Sequence, residues 1–176
     1  MTFKRISICV AIAGPAILAL LVICYIAGAR VNTTKSLRVG LYWTSSAPVE
    51  KGAYVLFCPP PRDVFDEAKK RGYISTGPCP GDYCGMMKRV FAAKDDVVTV
   101  ADDGVFVNGK LLPYSVPLAA DMGGRPLPRF RINNYKLSDD ELLLMTDVSA
   151  ISFDSRYFGL IKRSQIKTVI RPIFTW

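Results

Sequence analysis

The chain has no histidine. That absence removes every Ser-His and Cys-His nucleophile arrangement and, with them, the commonest metal ligand. Charge is missing from one long stretch, since Ile6 to Ala29 carries no Asp, Glu, Lys or Arg. Internal repeats and low-complexity tracts are absent too, so the 176 residues fit one domain plus an anchor. Acidic residues are the minority sign, 15 against 23 Lys and Arg, for a net charge of +8. The basic residues are scattered rather than striped, so no nucleic-acid partner is expected. A solvated basic surface, weakly attracted to anionic lipid headgroups, accounts for them.

The uncharged run is long enough for a helix to cross a hydrocarbon core of about 30 Å. Lys4 and Arg5 precede it, as the positive-inside rule expects for a cytoplasmic N-terminus. Residues 1–30 are therefore expected to be a retained membrane anchor, and 31–176 an exported domain. The competing reading is a cleaved signal peptide, because Ala27-Gly28-Ala29 has the small-x-small pattern of a cleavage site. Against it, the run exceeds the usual signal-peptide core of roughly 7–15 residues. Both readings export the domain.

Of five cysteines, Cys9 and Cys24 lie in the apolar run, where each serves as a small hydrophobe. In an oxidising compartment Cys79 and Cys84, which flank a Pro-Gly-Asp turn, can close a short loop; Cys58 can instead take either partner. Three cysteines without histidine make a poor zinc site, so neither metal nor cofactor is expected.

The domain reads as mainly β. Leu41–Trp43, Ala53–Phe57, Met86–Phe91, Val97–Val100, Glu141–Met145 and Lys167–Ile170 are short and β-prone. Gly104 to Val107 runs into an Asn108-Gly109 turn, a strong hairpin signal. One inserted helix is expected, with Asp63 as N-cap, Lys69-Lys70-Arg71 at its end and Gly72 beyond. The Gly- and Pro-rich segment from there to Cys84 reads as loop, as does Asp121 to Pro128, and Val31 to Arg38 reads as an exposed connector.

Without histidine, a serine nucleophile needs another base, and lysine serves only when neutral. Its ordinary pKa of about 10.4 must therefore be lowered, and burial does that. Lys88 has the right neighbourhood: on an alternating strand it shares a face with Met86 and Val90. Ser36 lies seven positions after Ala29, within about 25 Å of the membrane on a fully extended chain. Thr34 can turn a hydroxyl towards the same point as an oxyanion donor. Asp154 and Arg156, two apart, would share a face of a strand as an ion pair whose primary role is to pin a loop.

In order and spacing these segments resemble the type I signal peptidases over nearly the whole chain. Lys88-Arg89-Val90 followed by Asp95-Asp96-Val97 is similar to the family's lysine box, and Gly104 to Lys110 to its Asn-Gly-Lys hairpin. Ser152-Phe153-Asp154-Ser155-Arg156-Tyr157-Phe158-Gly159 is similar to its Ser-x-Asp-Ser-Arg-x-x-Gly box, the most specific of the matches. The chain departs from the pattern at Thr146-Asp147-Val148, where Gly-Asp-Asn is usual. It departs again at Leu37 and Val39, where Met and Pro are usual, and at Ala92, Lys94 and Asp95 in the lysine box. These departures argue against a general leader peptidase. Asn32-x-Thr34-x-Ser36 followed by Gly40-Leu41-Tyr42, with the cysteine-bearing insertion, resembles the conjugative-transfer branch.

The resemblance implies a signal-peptidase-like β domain with Ser36 as nucleophile and Lys88 as general base. Ser152 would orient the lysine and Thr34 would supply the oxyanion hydroxyl. Asp154 and Arg156 would hold the terminal box, with Asp154 also shaping the field at the lysine. It further implies processing, and even cyclisation, of a membrane-inserted pilin precursor at the periplasmic face of a bacterial inner membrane, alongside other conjugative transfer proteins. The rivals are a structural subunit of the transfer apparatus that performs no catalysis, a general signal peptidase, and a self-cleaving repressor-like protease. The apolar N-terminal run argues against the last.

Overall fold

Alternating apolar residues and tight turns fold this chain into antiparallel sheet, and a computed structural model describes it over residues 2–176, with side chains at Ala11 and from Ala13 onward. Helix α1 (Thr2–Ala27) is followed by β1 (Ala29–Asn32), β2 (Gly40–Ser45) and β3 (Tyr54–Phe57). Helix α2 (Asp63–Lys70) precedes β4 (Thr76–Cys79), β5 (Met86–Ala92), β6 (Val97–Ala101), β7 (Gly104–Val107) and β8 (Lys110–Leu111). Then come β9 (Ile132–Lys136), β10 (Glu141–Met145), the one-turn α3 (Ser155–Phe158), β11 (Ile161–Lys162) and β12 (Ile166–Thr175). Seven strands form one sheet in the order β1-β2-β12-β3-β5-β10-β11, and four form a second in the order β8-β7-β6-β9. The fold is mainly β with few helices.

β10 joins the two cores. Leu142 and Leu144 pack with Val55, Phe57 and Val90, while Leu143 and Met145 face Val98, Val100 and Val105. A strand buried on both faces needs an uninterrupted apolar run, and Leu142-Leu143-Leu144-Met145 supplies one. Beside it, β5 alternates, with Lys88, Val90 and Ala92 buried on one face.

Several expectations are corrected. The N-cap of α2 is Arg62 in an extended conformation; Asp63 is the first helical residue and makes no cap, although Asp63 and Asp66 still place negative charge in the first turn. Part of the expected connector after the apolar run is β1, which pairs with β2 through Val31 opposite Leu41. The Gly- and Pro-rich segment holds β4, with Thr76 and Cys79 bridged to Tyr83. Asp154 and Arg156 lie at the N-cap and within the turn of α3 rather than on a strand. β12 runs well past Ile170 because a bulge between Pro172 and Phe174 accommodates a residue that has no N–H to give the ladder.

At 26 residues α1 rises about 39 Å, with Ile17, Leu18, Leu20, Leu21 and Ile23 exposed. Among the described residues no helix is long and apolar enough to cross a membrane. Gly28 turns the chain out of α1 at φ +117°, where a Cβ would lie 2.2 Å from the Thr44 hydroxyl. Gly40, at φ +153°, lets β2 approach Phe174, whose carbonyl oxygen would stand 2.1 Å from a Cβ.

The disulfide joins Cys58 to Cys79, with Cα atoms 5.4 Å apart, and Cys84 is free and exposed. The alternative Cys79–Cys84 pairing fails on ladder geometry. Tyr83 is the residue opposite Cys79 and points into the core, so its neighbour Cys84 points out. On a chain-entropy view the 21-residue separation makes the crosslink worth about 3 kcal/mol. Thiol labelling of the denatured, unreduced protein followed by peptide mapping should therefore mark Cys84 and leave Cys58 and Cys79 unmarked until reductant is added. A protected Cys84 would overturn this pairing.

Candidate active site

Lys88 sits mid-strand on β5 between β3 and β10, opposite Val55. Its side chain is fully buried, and its Nζ donates to Ser152 Oγ at 2.6 Å. An ammonium has three protons to place, and one hydroxyl cannot satisfy them, so the site favours the neutral amine. Burial accordingly pushes the Lys88 pKa down from 10.5 to about 8; Asp154 acts against the shift and Arg156 with it. On the opposite face of β5, Arg89 is partly exposed and pairs with Asp147.

Ser152 is held by the segment that follows it. Asp154 and Arg156 form a bidentate pair at 2.8 and 2.9 Å, both side chains fully buried. The guanidinium spends its remaining protons on the carbonyls of Tyr114, Val116, Ala150 and Ser152. Burial works against the Arg156 charge, but the Asp154 hydrogen bonds and charge more than offset it and leave its pKa above the usual value. Asp154 also caps α3 by accepting from Arg156 N–H. Ser155 Oγ accepts the Leu144 N–H at 3.0 Å, which ties the whole box to β10. The expected loop-pinning role of the ion pair therefore has a geometric basis, and what it pins includes the Ser152 carbonyl.

Ser36 lies in the turn between β1 and β2 and is partly buried. Ser152 Oγ donates to Ser36 Oγ at 3.4 Å, so Ser36, Ser152 and Lys88 form one polar chain. Sequence reasoning gave no role to the residue that shapes this turn. Asn32, 4 % exposed, donates through its side-chain amide to the carbonyls of Thr34, Leu37 and Arg38. Tyr42 OH also donates to the Arg38 carbonyl, at 2.7 Å. The clue was an Asn four residues before the serine, a type favoured where side chains replace backbone partners in turns. Thr34 is not brought to Ser36 by a hydrogen bond. Its N–H and its hydroxyl both donate to Asn32 Oδ1.

Ser36 and Ser152 open onto a cavity of about 360 Å³ lined mostly by apolar side chains, among them Met86, Leu118, Ile151 and Phe153. A partly buried hydroxyl, a dry lysine and an adjoining apolar slot can together support nucleophilic attack on a peptide carbonyl. Among the described residues no three His, Cys, Asp or Glu side chains are grouped to hold a metal ion.

The family model "Signal peptidase, peptidase S26" matches residues 2–176. The "Plasmid transfer protein TraF" of Escherichia coli is 69 % identical over 173 residues, covering 98 % of this chain and 97 % of that one. The "Conjugal transfer protein TraF" of Agrobacterium fabrum is 35 % identical over 153 residues, covering 86 % and 85 % respectively. A crystal structure of a signal peptidase I from Enterococcus faecalis superposes with a TM-score of 0.40 at 18 % identity, covering 71 % of this chain and 98 % of that one. With a family match along nearly its whole length, the chain belongs to the signal peptidase S26 family.

Proposed function

We propose that this protein is a membrane-tethered serine endopeptidase with a Ser36–Lys88 dyad, acting on a membrane-inserted pilin precursor during conjugative plasmid transfer. The carrying observation is the hydrogen-bonded chain from the fully buried Lys88 amine through Ser152 to Ser36. Ser36 Oγ attacks the scissile carbonyl and its proton passes to Lys88 Nζ, held in place by Ser152. The oxyanion is met by the Ser36 N–H and by the Thr34 hydroxyl once it turns from Asn32. Lys88 then gives its proton to the leaving amine, and the acyl-enzyme is resolved by water or by the substrate's own amino group. The product is linear in the first case and circular in the second, lighter by one water.

Support for the substrate comes from relatives named for plasmid and conjugal transfer. Support for the tether comes from the uncharged sequence run Ile6 to Ala29, and support for the periplasmic placement from Lys4 and Arg5 before it. Anchoring enzyme and substrate in one bilayer raises their effective concentration, so modest contacts suffice. Mass spectrometry of the candidate pilin from cells with and without this gene tests the assignment directly. Ser36→Ala and Lys88→Ala should each abolish maturation, whereas a structural subunit would tolerate both.

Two further outcomes follow from the buried lysine. Lys88→Arg keeps the charge but cannot become neutral, so processing should fall by at least about a hundredfold while the chain still folds. Wild-type activity should rise with pH through about 8, the lowered Lys88 pKa, with no histidine limb. An arginine variant that matured pilin at the normal rate would show that Lys88 is not the base.

The sign for stability comes from the same shift. Between about 8 and 10.5 the unfolded chain holds the Lys88 proton and the folded chain does not, so stability rises with pH across that window. Below about 8 the buried amine is charged in the fold, and the full penalty of about 3 kcal/mol applies. Lys88→Met should therefore be more stable than wild type at pH 7, and the gap should close as pH approaches 10.5. Denaturant unfolding of the solubilised protein across that range decides it; equal stability at pH 7 would mean that the lysine is not desolvated.

A further inference from the structure

A second cavity, of about 780 Å³, opens where α1 meets the sheet, and it shares no lining residue with the one beside Ser36. Leu21 and Tyr25 line it from α1, Leu41 and Trp43 from β2, Leu56 from β3 and Met87 from β5. The Cys58–Cys79 disulfide borders it too, so a crosslink fixes part of its shape before any ligand arrives. Trp43 stands opposite Ala29 on the β1–β2 ladder, against the turn out of α1, where a Cβ at Gly28 would lie 3.0 Å from the indole nitrogen. The lining is mostly apolar, and the volume falls within the range of roughly 300–1,000 Å³ typical of ligand sites.

The charged side chains of this lining are both cations, Arg30 and Lys167, with no Asp or Glu among them. Arg30 is held in place. Its Nη1 donates to the Tyr25 and Ala29 carbonyls, each at 2.7 Å, and its guanidinium lies 4.2 Å from the Tyr25 ring centre. Arg30 Nε and Nη2 have no acceptor among the described residues, and neither Arg30 nor the exposed Lys167 forms a salt bridge there. A fixed guanidinium with N–H groups to spare, beside a flexible ammonium, is suited to a phosphate. The groove therefore calls for a ligand that is apolar along its length and anionic at one end.

We propose that this groove is the site of one anionic phospholipid, its phosphate held by Arg30 and Lys167 and an acyl chain lying along the apolar lining. The inference rests on the membrane tether proposed above and not on the Ser36–Lys88 dyad. On that tether the last turns of α1 reach the bilayer surface, the level at which rings such as those of Tyr25 and Trp43 are favoured. Headgroup phosphates and the first methylenes of the acyl chains lie side by side at the same level. An apolar protein segment, from a substrate or a second copy, would cover the lining but leave both cations without an anion. A phospholipid satisfies both. Seated between α1 and the sheet, it sets how the domain stands on the bilayer.

The chain has two tryptophans, so Trp176→Phe leaves Trp43 as a single reporter inside the groove. The test places this full-length variant in nanodiscs of phosphatidylcholine. A minor fraction of the lipid is phosphatidylglycerol or phosphatidylcholine brominated on an acyl chain, because bromine quenches an indole on contact. Brominated phosphatidylglycerol should reach half-maximal quenching at about tenfold lower mole fraction than brominated phosphatidylcholine. Adding Arg30→Gln with Lys167→Gln should bring the two lipids level, with cooperative thermal unfolding retained. Should that pair fail to fold, Lys167→Gln alone should cut the preference about threefold. Arg38→Gln with Lys110→Gln removes the same charge from exposed residues outside the groove and should leave the preference intact. Equal quenching by the two lipids, or equal loss of preference in both double variants, would overturn the site. So would an unquenched Trp43 in protein that co-elutes with the discs. Failure to co-elute removes the tether and the lipid site together, whereas quenching that ignores the headgroup leaves the tether standing and removes the site alone.

Discussion

The arrangement depends on one constraint, that a lysine amine with a single hydrogen-bond acceptor has been placed where no water reaches it. Left charged, such a group would cost several kcal/mol, and among the described residues no carboxylate pairs with it to offset that. Asp154 is near enough to act on Lys88 electrostatically, but its oxygens are committed to Arg156. The two charges of that pair act on the lysine with opposite sign, so burial itself is the leading cause of the lowered pKa. This is why the ion pair can be fully buried beside Lys88 while the lysine pKa stays lowered, at about 8.

Chain topology then brings the other partners to the amine. Ser152 lies 64 positions from Lys88, and Ser36 lies 116 positions from Ser152. Pairing of β10 with β5 carries the terminal box to the lysine strand, and Ser155 and Arg156 hold it there. The Ser36 turn reaches the same point from the other direction, through β1, β2 and β12. Its shape comes from the Asn32 amide, and Gly40 permits the close approach of β2 to Phe174 that closes the turn's far side.

What the sequence made legible is what rests on local periodicity or on a dense motif. Met86 to Ala92 alternates, and Lys88 falls on the buried face with Val90, as that alternation requires. The box from Ser152 to Gly159 packs four buried polar or charged side chains into one short segment, and each of them finds a hydrogen-bond partner. The remainder depends on partners distant in the chain. Ile132–Lys136 is largely polar and exposed, so nothing in its composition marks it as β9; it is a strand because β6 offers it an edge. The turn of α3 is set by the Asp154 cap, which competes with the extended form that a two-residue spacing suggests. Cysteine pairing was open for the same reason. Proximity along the chain favoured Cys84, whereas the direction of side chains on the ladder selected Cys58.

A base that is dry before substrate arrives differs from one that is dried by it. Lys88 is fully buried in the free chain, and Ser152 is 5 % exposed, so closing the site over a peptide has little water left to remove from the amine. On the proposed assignment, the electrostatic work of making Lys88 a base is done by folding, at a standing cost of about 3 kcal/mol below pH 8. Set against a typical domain stability of 5–15 kcal/mol, roughly, that is a large fraction. The elements around the box are of the kind that can carry it: a crosslink from Cys58 to Cys79, a doubly buried β10, and the Phe57–Phe65–Phe153–Phe158 aromatic cluster beneath α3. Under the proposed dyad, substrate binding energy is then free to act on position rather than protonation, and the turn that Asn32 shapes sets where Ser36 stands.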